Sequence, residues 1–178
     1  MRNQISRLFS AIVLGIAVLV MLAPAAKAQE RCVPFGGTIY GWLTDHWAGV
    51  GDLTVDRKTW HTNLSVDTLS VVDGGDTWTG NEIQTFDFGK GHILQGSGTF
   101  VTEHMTDPGG SGGVFHISEE GPFIKGKGIF KHVYGHWILE GAFGPGVKLP
   151  DKIQPPPEAS WFFIAQYSGT ICGMKDGD

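Results

Sequence analysis

Trp161-Phe162-Phe163-Ile164-Ala165 and Trp137-Ile138-Leu139 are apolar at every position, so neither run alternates as a strand with one wet face does. A strand covered on both sides reads this way. Working outward, runs rich in Thr, Val, Ile, Phe and Trp recur at 37–46, 51–60, 64–72, 81–88, 91–105, 113–119, 123–131, 136–143 and 160–168. Such runs predict short strands. No window of about a dozen residues carries a helical apolar period. Turn chemistry separates the runs at Asp73-Gly74-Gly75-Asp76, Gly89-Lys90-Gly91, Asp107-Pro108-Gly109-Gly110 and Glu120-Gly121-Pro122. Connections this short force sequential strands to pair antiparallel, because parallel neighbours need long crossovers. The expectation is an all-β fold, a single antiparallel β-barrel of about eight strands. Its inner cover is either packed side chains or an apolar cavity. Nineteen aromatic residues after position 28 supply material for both.

The ends bound the domain. Arg2 and Arg7 precede the apolar stretch Ala11–Leu22, Pro24 breaks it, and Ala26-Lys27-Ala28 offers small residues before Gln29. Residues 1–28 therefore read as a cleaved secretory signal, and 29–178 as the barrel domain. The apolar core falls short of the roughly 20 residues that span a bilayer, so no stable membrane anchor is expected after cleavage. The signal carries three of the 13 basic residues and none of the 18 acidic ones, which leaves 10 against 18 and a net charge of −8. An acidic chain without a basic run argues against nucleic acid. Cys32 and Cys172, near the two ends, are expected to form a disulfide in a secreted or periplasmic setting. The segment 144–157 holds five prolines and reads as a surface connection rather than a central strand.

The run from Gly126 to Gly141, Gly126-Lys127-Gly128-Ile129-Phe130 through His136-Trp137-Ile138-Leu139-Glu140-Gly141, resembles the glycine-spaced hairpin of the allene oxide cyclase-like barrels, a group that includes plant dirigent proteins. Gly91–Phe100 resembles an earlier strand of the same arrangement, and the likeness covers residues 81–143. It implies an eight-stranded antiparallel barrel with an apolar cavity. In it, Gly126 and Gly128 bend the chain at a corner, and Gly135 takes a positive φ. No activity carries over, because no catalytic set matches position by position.

Seven histidines follow the signal: His46, His61, His92, His104, His116, His132 and His136. His132 and His136 have the spacing that ligates zinc on a helix, but Gly135 and β-prone flanks argue against one, and no third ligand follows. No metal and no cofactor are expected. His104 and His116 fall on strands joined by the loop 109–113 and are candidate polar groups that meet across a hairpin, with Glu103 as a further acid–base candidate. Gly109-Gly110-Ser111-Gly112-Gly113 fits G-x-S-x-G, but no helix follows, so it reads as a loop. Asp73-Gly74-Gly75-Asp76 matches no calcium loop and reads as a polar turn.

Three functions follow from this reading. The first is an exported barrel that binds a small apolar or aromatic molecule inside, with Tyr40, Trp42, Phe100, Tyr134 and Trp161 as its wall. The second is a cofactor-free cyclase or isomerase using the same cavity, with His104, His116 and Glu103 as its candidates. The third is a structural or interaction module that engages a partner through Pro155-Pro156-Pro157. An oligomer is compatible with each.

Overall fold

The computed structural model describes residues 31–75, 77–105 and 113–174. The signal read at 1–28, Asp76 and the Ser111 loop lie outside them. Eight strands follow one another: β1 (Cys32–Leu43), β2 (Trp47–Val55), β3 (Lys58–Asp73), β4 (Thr77–Asp87), β5 (Ile93–His104), β6 (Phe115–Lys127), β7 (Tyr134–Gly144) and β8 (Trp161–Cys172). Each pairs antiparallel with the next, and β8 returns to β1. The barrel is closed, so no edge strand is left to aggregate.

Nine predicted runs map onto eight strands, with one boundary misplaced and one pair merged. The run 51–60 crosses a two-residue turn at Asp56 and Arg57, whose φ values are 46° and 75°. That is the twist a tight hairpin demands, supplied here by residues other than glycine. Asp56 is held in place by an ion pair with Arg31. Conversely, 113–119 and 123–131 belong largely to one strand, because β6 runs straight through Glu120-Gly121-Pro122. Gly121 faces the lumen there, directly opposite Trp137 on β7. A Cβ there would fall 1.9 Å from the Ser97 carbonyl oxygen on β5, so this glycine permits a close strand approach and is not a turn. The connection after β6 is the short 3-10 turn Gly128–Phe130, entered through a positive φ of 64° at Gly128.

A bulge between Thr68 and Ser70 breaks the β3–β4 register. It moves the lumen phase of β3 from even to odd positions, so Thr68 and Val71 both face inward. Leu69 is left exposed. An extra residue in one strand has this effect on every side chain beyond it.

Antiparallel order gathers the connections 56–57, 88–92 and 128–133 at one end with both termini. That end is packed solid. Phe35 makes edge contacts with Phe86 and Phe123 at 5.7 and 5.2 Å, and Phe88 meets Phe130 at 4.8 Å and Trp60 at 6.1 Å. Cys32 and Cys172 oppose each other in the β1–β8 ladder and are joined by a disulfide. The other end collects the connections 44–46 and 145–160, together with the ends of β3 and β5 and the starts of β4 and β6. The connection 145–160 is irregular, with turns closed by Ile153 N–H to Pro150 and Ala159 N–H to Pro156, and Pro155 and Pro156 are half-buried in it.

Candidate functional site

The half of the lumen toward the long connections is hollow. Its cavity measures about 340 Å³. The wall is aromatic and aliphatic, with Trp47, Trp78, Phe100, Phe143, Trp161 and Phe163 prominent. Around the rim these rings brace one another: Trp47 packs edge-on to Phe143 and Phe163, and Phe115 stacks on Trp78 at 4.9 Å and on Trp161 at 5.8 Å. Aromatic pairs in offset and edge geometries hold each other in place. Tyr167 marks the boundary with the solid half, since it lines the cavity above and packs on Phe86 at 5.3 Å below.

The floor is polar and buried. Gln84 donates one side-chain N–H to Glu82 Oε1 at 2.8 Å and the other to Glu119 Oε2 at 2.7 Å. Its carbonyl oxygen accepts from the Tyr167 hydroxyl at 2.7 Å. Every hydrogen-bonding group of the amide but one lone pair is thereby committed. Glu82 is 7% exposed and Glu119 1%. Burial, then the neighbouring charge of Glu82, pushes the Glu119 carboxyl up to about 10, so it holds its proton at neutral pH. Burial raises Glu82 as well, against the hydrogen bonds from Glu119 and Gln84 that favour its ionised form. Burial and these two carboxyls also hold the Tyr167 phenol well above its ordinary value. Two carboxyls this close do not both ionise, so at least one proton stays on the pair.

Bare backbone makes the meeting possible. Glu82 on β4 is opposed by Gly98 on β5, and Glu119 lies on β6, one strand further on. A Cβ on Gly98 would lie 1.9 Å from Glu119 Oε1. At Gly96 a Cβ would fall 2.3 Å from Trp137 Nε1, whose ring reaches in from β7. Gly96 and Gly98 are the bare floor over which larger side chains converge. Two buried atoms have no hydrogen-bond partner among the described residues: Trp137 Nε1 and Glu119 Oε1.

The structure sorts the predicted site residues. Phe100 and Trp161 line the cavity. Tyr40 and Trp42 do not; they alternate with the inward Ile39 and Leu43, and oppose Ile164 and Phe162 on the outer face of β8. That outer strip of half-buried side chains explains why β8 lost its alternation. Tyr134 is exposed beside Cys172 at the closed end, far from the hollow half. His104 and His116 do not meet across their hairpin, because the register pairs His104 with Phe115 and Glu103 with His116. One residue of offset puts them on opposite faces. His104 packs against Phe115 at 5.0 Å, whereas His116 binds Glu140 outside at 3.0 Å. Glu103 is exposed on the same outer face as His116. His136 lies 3.9 Å from Glu120, also outside. Among the described residues no group of three His, Cys, Asp or Glu is placed to hold a metal ion.

Sequence reading passed over the floor. Its signal was present: Glu82 and Gln84 keep phase with the inward Gly80 and Phe86, and Glu119 with Ile117 and Phe123. A charged residue in the apolar phase of a strand is an inward-pointing polar group.

Fold and cavity together define a closed up-and-down barrel with a half-filled interior. No family model, curated protein or solved structure matches this chain.

Proposed function

We propose that this chain is an exported barrel that takes up a small apolar or aromatic molecule in its lumen. The carrying observation is the hollow itself: about 340 Å³, aromatic on its walls, with a few convergent polar groups at one end. Small-molecule sites have this size and composition. Export is supported by the leader-like residues 1–28 and by the Cys32–Cys172 disulfide, which persists in oxidising compartments. The likeness of residues 81–143 to the allene oxide cyclase-like barrels points the same way. The neutral dye N-phenyl-1-naphthylamine tests the reading. Its fluorescence should rise on mixing with the protein, and Ala165→Phe, which drives a ring into the lumen, should abolish the rise while the circular dichroism stays unchanged. A wild-type protein that leaves the dye dark refutes it.

One observation favours the enzyme reading as the alternative. Glu119 keeps a proton at neutral pH inside the cavity, so it can serve as a general acid. Confinement by the aromatic walls would orient the substrate. Glu119→Gln separates the two functions: an enzyme loses turnover while its affinity for substrate persists, and a binding protein has no turnover to lose.

A further inference from the structure

Resting on the reading of the lumen as a small-molecule site, we infer that its ligand is an amine, an aromatic or aliphatic frame carrying an ammonium group that docks on the Glu82–Glu119 pair. Three observations converge. First, the acids of the floor have no cationic partner. Among the described residues that line the cavity none is Lys, Arg or His, and the titratable ones are Glu82 from β4, Glu119 from β6 and Tyr167 from β8. The remaining strands present only apolar or hydroxyl side chains to it, such as Leu43, Trp47, Val66, Thr102 and Leu139. Burial without a cation favours the protonated carboxyls, and a ligand that brings an ammonium supplies the partner that lets one of them ionise.

Second, the floor is unfinished. Glu119 lines the hollow, and its Oε1, buried over Gly98, receives no donor, although Gln84 satisfies the neighbouring Oε2. An ammonium has three donors and no acceptor, which suits a site made of carboxyl oxygens. A carboxylate or phosphate ligand meets the opposite situation and is repelled. Third, the walls above the floor are ring faces. Trp47, Trp78 and Trp161 surround the space the cationic end must cross, and indole faces attract ammonium groups.

Three probes of one shape decide the matter: tryptamine, its alcohol analogue tryptophol, and indole-3-acetate, titrated into the full barrel by calorimetry at pH 7. Tryptamine should bind at least about tenfold tighter than tryptophol, and indole-3-acetate weakest of all. The double variant Glu82→Gln/Glu119→Gln should reduce the preference for tryptamine over tryptophol to less than about threefold. Tryptophol or indole-3-acetate binding as tightly as tryptamine overturns the amine inference and leaves the lumen reading standing, and so does a preference that survives in the double variant. Failure of all three to bind at millimolar concentration overturns both. The wild-type ranking alone is decisive if the variant does not fold.

Discussion

Glu82 and Glu119 belong to strands that do not touch, yet one amide, that of Gln84, hydrogen-bonds both. β5 runs between them and offers only Gly98 at the crossing point. The lumen, not the sheet, is what joins them.

Stability should fall as pH rises from about 5 to 9. The folded Glu119 holds its proton up to about 10, whereas its ordinary value is 4.5. Between those values the folded state binds a proton that the unfolded chain has released. The contribution is therefore complete below about pH 4.5 and is lost as pH climbs toward 10. Glu119 alone contributes a slope of about 1.4 kcal/mol per pH unit at most. Glu82, also raised, acts in the same direction. Urea denaturation at pH 5, 7 and 9 should show it, and Glu82→Gln/Glu119→Gln should flatten it. A wild-type curve that is level across this range contradicts the buried proton.

Gly96→Ala should destabilise the protein by about 1–3 kcal/mol through overpacking. Its new methyl meets the fully buried Trp137 ring, which has nowhere to move. A midpoint in urea within error of wild type would show that the ring yields.

Removing the disulfide with Cys32→Ser/Cys172→Ser should cost several kcal/mol. The cross-link spans 140 residues, and the loop-closure model puts its ceiling at about 5 kcal/mol. Thermal melts of the variant against wild type measure the loss. An unchanged melting temperature would mean that the β1–β8 ladder closes the barrel unaided.

His116→Ala should change neither dye binding nor, by more than about 1 kcal/mol, stability, because its partner Glu140 is an exposed surface group. A tenfold loss of dye affinity would place His116 in the site after all.

Much of the architecture was legible beforehand. Turn chemistry and β-prone runs forecast sequential antiparallel strands, and terminal cysteines forecast closure between first and last. The errors were instructive. Gly121-Pro122 reads as a turn because glycine and proline usually end strands, and only the close approach of the Ser97 backbone on β5 explains a glycine there. The His104–His116 pairing failed on a register offset of one residue, which no local pattern reveals.

By itself, then, the sequence determined the kind of strands, most of their order and the bridge between the chain's ends, since those depend on neighbours along the backbone. Only the tertiary structure decided which face turned inward, that half the interior stayed hollow, and that two distant carboxyls share its floor. Those depend on closure and register, which fix every side chain's face at once and are set by packing across the lumen.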